Sequence, residues 1–594
     1  MKVFTKENIL GAVILSLAVA GSRLQNNYVL YSMIFLICLS VLLVALDKLR
    51  VSLPLVFFIS LSLLWQTTLM TNFLVGTDIH REYYYSSLTY AKGWDPSESA
   101  FYNTSLASSL LVPYLAKVFN ISLYVIYKGL IPILLALVPV VLFHLFKGQF
   151  KEKMAFLSCI FFVSIPTYLV ELTGISKQQF SELFFALTLF LLVLPWKAQL
   201  KYPLILLCLI LTILAHYTLG ALLIALLIGF ILITFFLKNR TAKLKYLVLI
   251  LLVGLVIYGG YYSQVADGRV LATAGKLLKN FTGISTSLLY TDMDLGSEWG
   301  GKWEPSGAEW GPMYSSNGTA NELTGTAVFT QVSLTKVALG LDFFQASDWG
   351  KVFRIFQLAT EALLILGCLI LFRMRKKLSP EYLALCLVSA AMMAVIIIIP
   401  GASATMNATR FYNIALLTLA PAFVLGGLAV LKKPWLLVAL VMIPYLLFTS
   451  GFIFEVSHQT EVGTDLPYTH ALSAERVDTT GLFTENDGIV RDWIMSNPQA
   501  RPIIADWHTL TLLQDTLSIA KDLDVFPTDL KDVPGDYYVL FRERDEKYQE
   551  IGYWGNIGTT VEVSYEKAGV SKMLEGRQIV FQSGLAKLYG PREE

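Results

Sequence analysis

Residues 217–237 read YTLGALLIALLIGFILITFFL, a run without one charge, and Lys238 and Arg240 follow directly. An apolar run of about 20 residues, at about 1.5 Å per residue, spans the hydrocarbon core of a bilayer as a helix. Working outward, comparable runs occur at 9–21, 28–46, 52–75, 121–146, 154–170, 178–195, 202–215, 246–263, 352–372, 380–400, 411–431 and 435–454, with 9–21 and 202–215 the shortest. Counted together they predict thirteen transmembrane helices. Backbone in lipid must satisfy its own hydrogen bonds, which makes these runs helices. A transmembrane barrel is excluded, because its strands would alternate polar and apolar residues. The composition agrees: 55% of residues are hydrophobic and 15% charged, against about 25% charged in soluble domains. A net charge of +2 offers no surface for nucleic acid. All five cysteines fall inside predicted spans and read as small buried hydrophobes.

Orientation follows from the basic residues of alternate loops. Lys2 and Lys6, Lys48 and Arg50, Lys147, Lys151 and Lys153, Lys197 and Lys201, Lys238 to Lys245, Arg373 to Lys377, and Lys432 with Lys433 lie on one side. That side is assigned to the cytoplasm and the membrane to the plasma membrane, with a cytoplasmic N-terminus. The N-terminal run also carries signal-peptide features, with a basic start and Ala18-Val19-Ala20 at its end. Residues 76–120, 264–350 and 455–594 then face outward. The plan is two accessory helices in 1–50, a main transmembrane domain over 51–454, and a small extracytoplasmic α/β domain over 455–594. In that tail, Thr484 and Asp487 form a capping signal for a helix over 485–496. Residues 502–505, 537–541 and 560–563 read as strands. Ser105 to Asn120 reads as an amphipathic surface helix.

The densest chemistry follows the third span: Gly76-Thr77-Asp78-Ile79-His80-Arg81-Glu82-Tyr83-Tyr84-Tyr85. On a helix Asp78 and Glu82 share a face; on a strand Asp78, His80 and Glu82 do. A carboxylate there can take a proton from an acceptor hydroxyl, and Arg81 can hold a phosphate. The alternative is a solvated loop start beside an interfacial tyrosine belt. Lys177, His216 and Arg410 lie at the same outer depth and would make a basic pocket suited to a lipid phosphate. Snorkelling to the interface is the competing reading for each. Trp299, Trp303 and Trp310 lie beside Glu304 and Glu309 in the 264–350 loop. Aromatic faces beside carboxylates suit sugars, and Tyr217 joins them as a sugar or acceptor contact. A loop that merely dips its tryptophans into the interface would look the same. Gly296, Gly301 and Lys302 approach a phosphate loop, but Trp303 stands where Ser or Thr is required.

An outward Asp-bearing loop after an early span, then a surface helix, then a multi-span bundle closed by an outer C-terminal domain, resembles the GT-C superfamily of membrane glycosyltransferases. The Gly-Thr-Asp-Ile-His-Arg-Glu-Tyr-Tyr run looks like one in uncharacterised archaeal members. Ser176-Lys177-Gln178 and Thr409-Arg410-Phe411-Tyr412 are similar to segments lining donor sites there. The resemblance implies a polyprenyl-phosphate-linked sugar donor, a glycan, lipid or protein acceptor, and an acidic base or metal ligand at Asp78, with Glu82 its neighbour. If the reaction uses a metal, Mg²⁺ or Mn²⁺ would be held by these two carboxylates; whether it uses one is left open. The two spans of residues 1–50 depart from the pattern. The Trp-Trp-Asp-Tyr-Gly sequence of the oligosaccharyltransferase branch is absent, which favours transfer of a single sugar, or a glycan polymerase or ligase. Two other classes compete: a transporter or flippase for a lipid-linked glycan, and a non-catalytic surface-assembly scaffold. Charges crowded at the outer rim and the lack of related halves speak against a transporter.

Overall fold

The computed structural model describes residues 5–76, 78–97, 102–237, 243–265, 343–344, 346–398, 408–430, 434–458, 482–514, 522–527, 530–554 and 560–592, with 268, 270, 271, 339–341 and 472. They fall into two compact units. One takes the described residues within 1–70, 88–288 and 334–474; the other takes those within 71–87 and 475–594.

The first unit is a helical bundle and the protein is a membrane protein. Among the described residues, seven of its helices are long and apolar enough to cross a bilayer. They are α2 (Asn27–Ala45), α6 (Leu123–Lys147), α9 (Ala198–Ala215), α10 (Tyr217–Phe236), α11 (Leu244–Gln264), α12 (Asp348–Arg373) and α14 (Ala408–Val430). An eighth is reached if α7 (Glu152–Val163) and the turn Thr167–Gly174 form one span bent by 61°. Between them stands Pro166, which has no N–H to give the ladder.

The expected thirteen is therefore not the number that length and composition give, and the reasons are local. Helix α1 (Lys6–Arg23) carries Lys6, Glu7 and Arg23, and α8 (Ser176–Val193) opens on Ser-Lys-Gln-Gln with Glu182 a turn later. Helices α3 (Leu53–Thr68) and α5 (Val112–Phe119) are short, as are the apolar stretches Pro380–Val395 of α13 (Pro380–Ile398) and Trp435–Thr449 of α15 (Pro434–Thr449). Close backbone approach holds α12 to α14. A Cβ at Gly367 would lie 1.7 Å from the Ala422 carbonyl oxygen, and one at Gly426 would lie 1.9 Å from that of Leu363. Small residues at helix crossings are how membrane bundles gain dispersion contacts without a hydrophobic driving force.

The second unit holds a five-stranded sheet ordered β2-β1-β3-β7-β6. Strands β1 (Ile503–Ala505), β2 (Leu523–Val525) and β3 (Tyr538–Phe541) are parallel, while β7 (Ala586–Arg592) and β6 (Arg577–Ser583) run antiparallel. Strands β4 (Glu550–Trp554) and β5 (Thr560–Ser564) form a separate hairpin. Alternation along the strands feeds two cores. Ile503, Ala505 and Leu540 pack with Val490, Ile494 and Leu513 on one face; Ile504, Val539 and Phe541 pack with Phe526, Val570 and Met573 on the other. Helix α16 (Glu485–Ser496) starts at the expected capping box of Thr484 and Asp487. The segment Thr71–Ser87 belongs to this unit because Phe73 fills a notch in α16. A Cβ at Gly488 would meet the Phe73 ring at 2.2 Å, and the Arg491 guanidinium lies 5.0 Å above that ring.

Candidate functional site

Helix α4 (Asp78–Lys92) begins at Asp78, in the part of the helix that belongs to the second unit, so Asp78 and Glu82 stand one turn apart on one face. A carboxylate in the first turn is favoured by the unpaired N–H groups there. His80 and Glu82 are 0% exposed, Arg81 is buried and Asp78 is half-buried. Arg81 Nε donates to Gln514 Oε1 at 3.0 Å. The His80 ring meets Phe483 edge-on, 5.8 Å between centroids, and Phe73, Phe483 and Leu512 form a buried apolar cluster. The two central residues of the quartet thus hold the helix, and Asp78 is the one that reaches solvent.

Gln514 ends helix α17 (Trp507–Leu513), whose N-cap is Asp506. Asp506 follows β1 and Arg542 follows β3, so both stand at the carboxyl edge of the parallel strands, where connections diverge and ligand clefts usually form. Here that edge is filled from within. Asp545 takes the Arg542 Nε at 3.2 Å, the Arg542 N–H at 3.0 Å and the Thr509 hydroxyl at 3.0 Å. Asp506 takes the Thr509 and Gly552 N–H groups, and Asp487 takes those of Thr484 and Glu543. Burial pushes the Asp545 carboxyl well above the ordinary carboxylate range, with nearby Asp506 adding to the rise. Burial also raises that of Asp487, against the pull of its backbone donors.

In the first unit, the polar start of α8 faces α14. Arg410 Nε lies 3.4 Å from Glu171 Oε2, and the Thr167 hydroxyl donates to the Thr409 carbonyl at 3.1 Å. One turn deeper on α14, Asn413 Nδ2 donates to Glu182 Oε1 at 2.9 Å, both residues fully buried. The Gln178 amide also bonds Glu182, and the Tyr168 hydroxyl bonds Ser60. Arg410 and Asn413 make a two-rung ladder leading inward from a half-exposed ion pair.

The remaining expected residues take structural partners. Lys177 Nζ sits 4.1 Å over the Tyr102 ring. His216 caps α10, its Nδ1 accepting the N–H groups of Thr218 and Leu219 at 3.1 and 3.3 Å; in the neutral imidazole the proton is then on Nε2. Tyr217 stacks on His216 at 5.1 Å. The Ser105 hydroxyl donates to the Ala215 carbonyl, so Lys177 and His216 approach opposite ends of the segment 102–105. Trp299, Trp303 and Trp310 lie outside the described residues.

Residues 343–589 match the family described as "Predicted membrane protein (DUF2206)". That is less than half of the 594 residues. No curated protein matches the chain. Among solved structures, the chain is similar to ArnT from Cupriavidus metallidurans bound to undecaprenyl phosphate, at 11% identity, 92% of this chain, 97% of that chain and a TM-score of 0.32. That score is below the level at which two chains share a fold.

Sequence reasoning missed Glu171, Asn413, Tyr102 and Gln514. Glu171 carried a signal: an acid at the end of a predicted span, at the same outer depth as Arg410. Gln514 carried none, being a polar residue in a polar tail.

Proposed function

We propose that this protein is an inverting membrane glycosyltransferase that moves one sugar from a polyprenyl-phosphate-linked donor to a hydroxyl acceptor on the extracytoplasmic face of the plasma membrane. In this reading Asp78, assisted by Glu82, accepts the hydroxyl proton. The acceptor oxygen bonds to the anomeric carbon as the bond to the phosphate oxygen breaks, and the electron pair leaves on the lipid phosphate. Arg410, Lys177 and His216 hold that phosphate, since cations already in place stabilise charge as it develops. A Mg²⁺ or Mn²⁺ ion would be held by Asp78 and Glu82 together with donor oxygens, the ligand set Mg²⁺ usually takes.

What carries the reading is the start of α4. Its two carboxylates share a face, its His80 and Arg81 are committed to the tail, and Asp78 alone of the four is half-open. The test is Asp78→Asn in a strain lacking the wild-type gene. The change keeps shape and removes the proton acceptor, so the transferred sugar disappears from surface glycans at unchanged protein abundance. Wild-type glycans from Asp78→Asn would remove Asp78 from the chemistry.

A further inference from the structure

The helices that carry the outer polar groups end at a cavity of about 560 Å³ in the first unit. Helix α8 runs 18 residues from Ser176 to Val193, about 27 Å at 1.5 Å per residue, close to the thickness of a bilayer core. The cavity, bordered by Phe190 and Leu194, is therefore at the opposite membrane face from Lys177. The Lys and Arg loops 147–153, 197–201, 243–245 and 373–377 share that end, which the charge rule makes cytoplasmic.

Three helices, α9, α11 and α13, begin around this cavity, each presenting N–H groups without helical partners. His144, Lys201 and Lys243 line it, against one carboxylate, Glu381. Lys201 has a structural duty: its Nζ donates to the Leu192 and Leu194 carbonyls at 2.8 and 2.9 Å, closing the end of α8. The Lys243 N–H is fixed by the Tyr202 hydroxyl at 3.0 Å, while its side chain is exposed at the rim beside half-exposed Trp196. A chamber with apolar walls, a cationic rim and an indole at the interface suits an amphiphile with an anionic head. Basic pockets between transmembrane helices on the cytoplasmic side bind such headgroups.

We propose that this cavity is a binding site for the phosphate headgroup of an anionic lipid of the cytoplasmic leaflet, with His144 and Lys243 its principal contacts. The site is separate from the proposed sugar-transfer site and does not depend on it. The test uses the full-length protein in nanodiscs, which expose both faces. Wild type in phosphatidylcholine discs containing phosphatidylglycerol melts higher than in pure phosphatidylcholine discs. The variant His144→Gln/Lys243→Gln keeps the pure-phosphatidylcholine melting temperature and loses the rise. The control Lys376→Gln/Lys377→Gln, outside the cavity, retains it. Glycerol phosphate added to pure phosphatidylcholine discs produces no rise. An equal rise with glycerol phosphate would mean a soluble phosphate compound is the ligand and would overturn the lipid assignment. No rise in wild type, an undiminished rise in the double variant, or its loss in the control would overturn the site.

Discussion

Two buried polar clusters in this molecule differ in one respect. In the tail, Asp487, Asp506 and Asp545 surround Arg542, and all six carboxylate oxygens accept a hydrogen bond. In the bundle, Glu182, Gln178, Asn413 and Tyr168 are equally buried, and Glu182 is held by the neutral amides of Asn413 and Gln178. Acids bonded at every oxygen around one guanidinium serve the fold, whereas a buried acid held by neutral amides needs a reason beyond folding. The tail cluster occupies the sheet edge where α/β domains usually keep a cleft, and through Phe483 and Gln514 that end of the domain holds α4. The difference predicts separable consequences: loss of fold in one place, loss of turnover in the other.

The largest effect is expected from Asp545→Ala. It removes three hydrogen bonds and leaves Arg542 buried with a partner missing, which costs about 3–5 kcal/mol. Tail unfolding followed by limited proteolysis would report it, and protection equal to wild type would mean the tail cluster is not structural. Next comes Glu182→Gln, isosteric and neutral. Turnover falls about tenfold, or ~1.4 kcal/mol, with the melting temperature nearly unchanged. A large drop in melting temperature instead would place this cluster with the tail's and erase the distinction. The smallest effect is expected from Arg410→Lys. It keeps the charge but loses the planar fork that matches phosphate, so the donor-lipid titration shifts several-fold at matched expression. Superimposable titrations would leave Arg410 as a partner of Glu171 alone.

Features set by neighbouring residues were legible in the sequence. The capping box at Thr484 and Asp487 placed α16 to the residue, and β1, β3 and β5 lie on the stretches 502–505, 537–541 and 560–563. Strand β2 has three residues, too few for a pattern. Strand β6 exposes Ile579 and Val580 in succession, so it lacks the alternation that marks a half-buried strand. The span count is the least legible feature, because composition hides geometry such as the bend at Pro166. The site was legible only as a set of residue types. Partnerships such as Arg81 with Gln514, 433 positions apart, and Arg410 with Glu171, 239 apart, come from tertiary packing, which no local pattern encodes.

The proposed reaction consumes a lipid-linked sugar outside the membrane, and one measurement separates consumption from transport. Purified protein is placed in liposomes carrying a polyprenyl-phosphate-linked sugar, with an acceptor fraction from cells lacking the gene. Free polyprenyl phosphate and the position of the intact donor are then followed together. The glycosyltransferase account predicts release of polyprenyl phosphate that depends on acceptor and is absent with Asp78→Asn. Intact donor crossing the bilayer with no polyprenyl phosphate released would contradict it and make the protein a transporter.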